Sequence, residues 1–299
     1  MVLGDLALDV VLAPARSLER GTDVPGVVRL HQGGSAANTA RWLARLGTRT
    51  TLVCAVGRDA AGRSLVADLK RDGVEVRAAR PAGARTSRIG MLVDAAGERS
   101  FVADRGAADL LAPADLRPGW FRDAAVMHLP AYSLLGSPLG EAAGRAITLA
   151  REAGAAVSID LASAVPLLAG GRRAAGALIA GGAPDLLLTN AAEAAAFLGS
   201  PEADELLRFA PVVVVKRGAS GATLLARAAP VPIRLEVATR PLRAADTTGA
   251  GDAFDAGFLA AWLAAGRSTA PGDLRRAVVA GHRAAARQIG APRPELALG

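Results

Sequence analysis

The sequence predicts an α/β protein: a mostly parallel sheet with helices on both faces, and a small second sheet covering one edge. Three observations lead there. Short apolar runs alternate with Ala-rich amphipathic segments through most of the chain, the pattern of βαβ units. Two stretches, about 10–32 and 86–105, break that rhythm with strands and turns but no helix. Finally, a cluster of small residues near each end of the chain opens a helix.

Taken in order, 1–11 is apolar but carries Asp5 and Asp9 and lacks a basic leader, so it reads as a first strand rather than a signal peptide. Val27-Val28-Arg29-Leu30-His31 is a strand candidate, followed by a helix over 35–46, a strand over 50–56 and a helix over 59–72. Residues 87–94 and 99–103 read as strands joined by a turn at Gly97. Buried strands over 125–129, 155–160, 185–189 and 211–215 then alternate with helices over 139–153, 172–180 and 191–198. Two longer helices, about 249–265 and 273–288, close the chain. Strands of the two helix-free excursions fit poorly inside a parallel core, so they should form the second sheet. No low-complexity linker sets that sheet apart, which makes it a lid on a single domain spanning 1–299. Its apolar outer face would suit a homodimer contact.

Composition bounds the function. At 299 residues and 51% hydrophobic, the chain can bury a sizeable core, which excludes disorder. Only 3% is aromatic, which argues against an RNA-stacking surface. The net charge of +7 raises the question of nucleic acid, but Lys70 and Lys216 are the only lysines and the arginines are scattered. No nucleic-acid partner is expected, although a polyphosphate site would use part of this positive field. Cys54, the single cysteine, can form neither an internal disulfide nor a Cys-based zinc site and reads as a buried filler. No uncharged stretch approaches the ~20 apolar residues of a membrane span. A soluble, cytoplasmic protein with no membrane partner is the expectation.

The chemistry concentrates in Asp246-Thr247-Thr248-Gly249-Ala250-Gly251-Asp252, ahead of the apolar helix with Phe254, Phe258, Leu259 and Trp262. Gly249 and Gly251 let successive amide N–H groups converge, and the positive end of the helix adds to that field. Asp252, in the first turn, would sit beside a bound phosphoryl group, where a carboxylate can accept a proton from an attacking hydroxyl. Taken alone, the same residues equally fit a plain turn with a helix-capping acid. Two other phosphate motifs fail here. Phe254 occupies the place of the third glycine of a dinucleotide-binding turn, and neither lysine sits in a Gly-Lys-Ser/Thr loop. Gly33-Gly34-Ser35-Ala36-Ala37-Asn38 is the second segment: its glycines allow close approach, and Asn38 offers a donor and an acceptor suited to sugar hydroxyls. A tight strand-to-helix turn explains it as well.

Together these segments resemble the two signature motifs of the ribokinase-like (PfkB) sugar kinase family, in order and spacing, over essentially the whole chain. The resemblance implies a Rossmann-like three-layer α/β/α core that binds ATP and a β-sheet lid over the substrate. It assigns Asp252 as catalytic base, and Gly249, Ala250 and Gly251 as an anion hole. Asp9, Gly33, Gly34 and Asn38 match substrate contacts. Asn190-Ala191-Ala192-Glu193 resembles the family's Asn-x-x-Glu motif, which implies Mg²⁺ near Glu193, held through water because Mg²⁺ dehydrates reluctantly. A helix cap with an acid in its first turn explains those residues too. Lys216, Gly218 and Gly221 match the nucleotide-binding turn, and a simple hairpin is compatible with the same residues. Asp246 and Thr248 match a monovalent-cation (K⁺) site.

Departures from the family pattern bear on the acceptor. Ser35-Ala36-Ala37 stands where ribokinases often carry Lys-Gly-Ala, and Ala7 where they have a sugar-binding Asn. Ser158-Ile159-Asp160-Leu161-Ala162-Ser163 lacks the Asn and Arg common in fructokinase-like members, and 286–291 is shortened where the cation loop closes. These features argue against ribose. The implied activity is transfer of the γ-phosphoryl of Mg·ATP to a hydroxyl, expected to be primary, of a sugar or sugar-like alcohol. The rivals are a nucleoside kinase on the same fold and a non-catalytic sugar sensor. His31, His128 and His282 match no catalytic position and read as structural. Arg105, at the end of a lid strand, fits either a substrate contact or a turn.

Overall fold

Strand alternation sets the architecture. Leu186 and Leu188 point to one side of their strand with Val212 and Val214 of the next, while Leu187, Val213 and Val215 point to the other. All are buried, so the strands are apolar on both faces, as in a parallel sheet between two helical layers. The computed structural model describes residues 1–299 except 95–97, 229, 243–245, 292 and 299.

In chain order the elements are β1 (Val2–Leu3), β2 (Ala7–Pro14), β3 (Gly26–Gly33), α1 (Ser35–Arg45), β4 (Thr51–Ala55), α2 (Ala60–Arg71) and β5 (Glu75–Ala79). β6 (Ser87–Val93), β7 (Arg99–Asp104), β8 (Val126–Pro130), α3 (Leu139–Glu152), β9 (Ala156–Asp160), α4 (Ala164–Leu168) and α5 (Arg172–Gly182) follow. The remainder is β10 (Leu186–Asn190), α6 (Ala191–Leu198), β11 (Val212–Lys216), β12 (Ala222–Ala226), β13 (Ile233–Val237), α7 (Ala250–Ala264) and α8 (Pro271–Gly290). Among the described residues, a nine-stranded sheet runs β13-β12-β11-β10-β9-β8-β1-β4-β5. It is parallel except at one edge, where β12 and β13 return antiparallel. Leu43, Leu65, Phe258 and Leu274 of α1, α2, α7 and α8 pack one face. Ile147, Ile179 and Phe197 of α3, α5 and α6 pack the other.

The helix-free excursions form the expected second sheet, four strands in the order β3-β2-β6-β7. The register pairs Asp9 with Ile89, Met91 with Phe101 and Val93 with Arg99, which puts Asp9, Ile89, Met91 and Arg99 on one face. The opposite face carries Val28, 62% exposed, and Val102, 78% exposed, the apolar surface the sequence led us to expect. The turn assigned to Gly97 lies outside the described residues.

One expectation is corrected. Residues 1–11 are not a single strand but two, β1 in the large sheet and β2 in the lid. The break falls at Asp5, whose carboxylate turns inward to accept from Tyr132 Oη at 2.8 Å and from the Ala36 amide at 3.3 Å. Neither β5 nor β13 was anticipated. Both are edge strands of alternating, half-exposed residues such as Ile233-Arg234-Leu235-Glu236, without a continuous apolar run.

His128 is structural, as expected: it is buried beside Ser158 Oγ at 3.0 Å, and burial lowers its pKa to about 4. The thiol of Cys54 is likewise buried, and desolvation pushes it up to about 12. No helix among the described residues is long and apolar enough to cross a membrane.

Helices α7 and α8 pack closely enough for glycine to matter. A Cβ on Gly257 would lie 2.6 Å from the Ala280 carbonyl oxygen and 2.9 Å from Ala284 Cβ, whereas one on Gly144 of α3 meets nothing within 4 Å. Alanine gains up to about 1 kcal/mol over glycine inside a helix, but an overpacked backbone contact costs about 1–3 kcal/mol. Gly144→Ala should therefore raise the chemical-denaturation midpoint and Gly257→Ala should lower it; the same sign for both would contradict this packing.

Candidate active site

Polar residues gather where the parallel strands end, the edge at which open α/β sheets bind ligands. Asp160, Asn190 and Lys216 are the last residues of the neighbouring strands β9, β10 and β11. Lys216 Nζ donates to Asp255 Oδ1 at 2.9 Å and to Asp160 Oδ2 at 3.2 Å. Burial alone would push this lysine down, but the two carboxylates outweigh it and hold the ammonium charged. Asp255, fully buried, is pushed well up by burial and by Asp160.

Asn190 and Glu193 form a reciprocal cap on α6. Asn190 Oδ1 accepts from the Glu193 amide at 2.9 Å, and Glu193 Oε2 accepts from the Asn190 amide at 3.0 Å. The capping explanation of this motif is therefore correct, and it aims Glu193 back toward Asp160. Burial raises the Glu193 pKa, and the Asp160 charge raises it further. Asp160 Oδ1 is buried with no donor from the described chain. Hard carboxylate oxygens with a spare buried acceptor fit Mg²⁺. Among the described residues no group of three or more His, Cys, Asp or Glu could hold a metal ion.

Beside this edge, Gly249 caps α7 at φ 76°, a left-handed conformation open to glycine at little cost. The Ala250 amide is taken by the Thr247 carbonyl at 3.1 Å, so the amides of Gly251 and Asp252 are the first to face outward along the helix axis. Gly251 lies against Lys216, whose Nζ would be 3.7 Å from a Cβ there.

The two glycine-rich segments meet at Asp252. Ser35 Oγ donates to its Oδ1 at 2.6 Å, and Asn38 Nδ2 donates to its Oδ2 at 2.8 Å. Burial raises the Asp252 pKa; the Ser35 and Asn38 bonds pull it back, Asp160 pushes it up again, and it settles at about 6. Asn38 orients the carboxylate, and its Oδ1 accepts from Gln32 Nε2 at 3.0 Å. Gly34, just ahead of α1, sits against the backbone of Asp5. Gly33 lies so close to Asp9 that any Cβ would overlap the carboxylate. Asp9 is paired with Arg293 Nη2 at 2.5 Å, and burial raises its pKa against that pairing.

A cavity of about 370 Å³ runs from Lys216, Ala250 and Gly251 past Gly218 and Gly221 to Leu242, Phe254, Ala285, Ala286 and Ile289. One end is cationic and amide-lined, the other apolar, a shape that suits a nucleotide. His282 lines it too, bonded to the Val237 carbonyl at 3.2 Å. Gly218 and Gly221 lie on the turn of the β11–β12 hairpin and also line this cavity.

The pfkB family carbohydrate kinase pattern matches residues 1–295. The chain belongs to that family. Fructokinase-2 of Solanum habrochaites is 36% identical over 167 residues, 55% of this chain and 50% of its own length. The chain thus spans about half the length of the fructokinases it matches. Ribokinase of Mus musculus is 29% identical over 88% of this chain and 81% of its own length. Among solved structures, adenosine kinase from Sinorhizobium meliloti superimposes with a TM-score of 0.82 at 25% identity, covering 99% of this chain and 96% of that one. The ribokinase-like fold, with its large mostly parallel sheet and smaller separate sheet, is shared with these kinases.

Several residues of this PfkB site escaped the sequence reading. Ser35 was noted only as a departure, yet it holds Asp252. Asp160 carried a readable signal, an acid ending a buried strand. Asp255, one helical turn beyond Asp252, carried another. Arg293, Gln288 and Arg99 carried none, because their partners lie far away in the chain, and Gln32, though close to Asn38 in sequence, belongs to no motif. Asp246 Oδ1 accepts from the Thr248 amide at 2.8 Å, and both side chains are engaged by Arg99 of the lid. Arg105 bonds Asp109 at 2.6 Å and lies over the Tyr132 ring, 4.8 Å from its centroid.

Losing a charge-assisted hydrogen bond removes about 1.5–3 kcal/mol from the charged form, and one pKa unit is 1.36 kcal/mol. Ser35→Ala should therefore raise the Asp252 pKa by roughly one unit or more, read from the carboxyl ¹³C shift against pH. A pKa that stays at about 6 would remove Ser35 from this role.

Proposed function

We propose that this chain is an ATP-dependent kinase that transfers the γ-phosphoryl group to a hydroxyl, expected to be primary, of a sugar or sugar-like alcohol, with Asp252 as the base. One observation carries this reading: the half-buried Asp252 carboxylate is held by donors from both Ser35 and Asn38 at the amide-rich start of α7. A base must be unprotonated in use yet basic enough to take a proton, and a pKa of about 6 meets both needs near neutrality.

The cavity between Lys216 and Ile289 would hold ATP, with its phosphates toward Lys216, Gly251 and the hairpin turn at Gly218 and Gly221. Asp160 and Glu193 would hold Mg²⁺, largely through water. When bound, Mg·ATP supplies the phosphoryl group and offsets charge on its oxygens. Asp252 accepts the proton of the acceptor hydroxyl. The amides of Gly251 and Asp252 and the positive end of α7 stabilise the negative charge that develops. Lys216 adds a fixed cation beside Gly251. Asp9 and Gly33 of the lid and Gly34 ahead of α1 are the candidate acceptor contacts, with the lid excluding water.

Asp252→Asn should lower turnover by about 10²–10⁴-fold while leaving the melting midpoint and the affinity for a non-hydrolysable ATP analogue nearly unchanged. The wild-type rate should fall as pH drops through about 6, because protonated Asp252 cannot take the hydroxyl proton. Near-normal turnover of the asparagine variant would exclude this mechanism.

A nucleoside acceptor is the second reading, supported by the likeness to the Sinorhizobium adenosine kinase over 99% of the chain and by Ala7 in place of the sugar-binding Asn. A thermal-shift panel of hexoses, pentoses, sugar acids and nucleosides, each with the ATP analogue, separates the two. We expect the shift with a sugar; a shift with nucleosides alone would reverse the assignment.

A further inference from the structure

The turn ahead of α7 is tied to the lid by a positive charge. Arg99 opens β7, the edge strand of the lid sheet, and lies on the same face as Asp9. Its Nη2 is 3.0 Å from Asp246 Oδ1, and its Nη1 donates to Thr248 Oγ1 at 3.1 Å. From the other side, Gln288 Nε2 of α8 donates to the Thr248 carbonyl at 2.9 Å, and Gln288 Oε1 accepts from Trp42 Nε1 of α1 at 2.9 Å. Asp246 Oδ1, Thr248 Oγ1 and the Thr248 carbonyl, three oxygens that could face a cation in this turn, thus already have donors from the protein. Gly249 follows at once, so whatever orders this turn also orders the start of α7.

We propose that Arg99 is a positioning residue whose guanidinium, delivered by the lid, serves as the ordering cation of the 246–249 turn in place of a bound monovalent ion. The argument is one of occupancy and charge. A guanidinium offers fixed donors to several oxygens at once and stays charged at any pH of use. A monovalent ion in the same place would have to displace both Arg99 and the Gln288 amide. The contact also makes order in the turn depend on the lid. With the lid lifted, Asp246 loses this cation and Thr248 Oγ1 loses a donor, and the amides of Gly251 and Asp252 lose part of their support. Lid closure therefore completes the anion-facing end of α7 as well as covering the acceptor. This catalytic consequence rests on the kinase reading above; the structural statement does not.

Hydrogen exchange of the 246–251 amides tests it without sugar or ATP, so the outcome is independent of the proposed reaction. Wild-type protein, Arg99→Ala and Arg99→Lys are compared in potassium chloride and in choline chloride. We expect identical protection of the wild-type turn in both salts. Arg99→Ala should exchange about tenfold faster or more at an unchanged melting midpoint, with partial recovery in potassium or in millimolar guanidinium. Arg99→Lys should fall between the two. Wild-type protection that appears only with potassium would overturn the proposal, and so would an Arg99→Ala turn that exchanges like the wild type. The wild-type comparison needs no variant and decides the ion question alone.

Discussion

A carboxylate held between donors from the opposite end of the chain governs how this molecule is put together. Asp252 is half-buried, and even partial removal of an ion from water needs compensation. Ser35 and Asn38 supply that compensation, so α1 must dock against α7 in one register. The small buried residues Ala36, Ala37 and Ala40 let the two helices approach closely enough. Gln32 fixes the Asn38 amide in turn, and with it the orientation of its donor group. The result is a balance rather than a maximum: burial pushes the acid up, the two bonds pull it down, and it settles where a proton acceptor is useful.

Next to it the protein leaves its charges unbalanced. Lys216 faces Asp160 and Asp255, with Glu193 close behind, and the crowding of these acids raises Asp255 and Glu193. Such an arrangement is weak evidence for stability, because the attraction mostly offsets the cost of taking the ions out of water. It is better understood as a preformed electrostatic environment. A divalent ion would favour the ionised forms of these crowded acids, and Lys216 and the amides of α7 would face the phosphates. The sheet edge is thus suited to a metal–polyphosphate ligand in a way that a neutral ligand would not exploit.

Much of this could be read from sequence because it is local. The buried strands announce themselves as continuous apolar runs, the helices between them as amphipathic segments, and Asn190 with Glu193 as a capping pair three residues apart. Asp252 was legible for the same reason, being the acid of a glycine-rich helix start. Legibility failed where structure depends on distant partners or weak patterns. The pairing of Asp9 with Arg293 spans 284 residues, and that of Trp42 with Gln288 spans 246. No local pattern marks either. The division of the first strand between two sheets failed for another reason: a strand shows its apolar faces but not the sheet it joins. The edge strands β5 and β13 have too much exposed polar surface to look buried.

The reach of the Asp252 contacts has a further consequence, one for synthesis. Ser35 leaves the ribosome 217 residues before its partner. Until α7 follows, α1 rests on the strands already made but lacks the helix it packs against most extensively, and β1 lies in a half-built sheet. Domains with such distant pairings close late, and their early segments spend longest exposed to wrong partners. Because the last elements made are the ones that complete the candidate site, a chain interrupted before α7 has a nearly whole lid and most of its sheet, yet neither Asp252 nor the helix start around it.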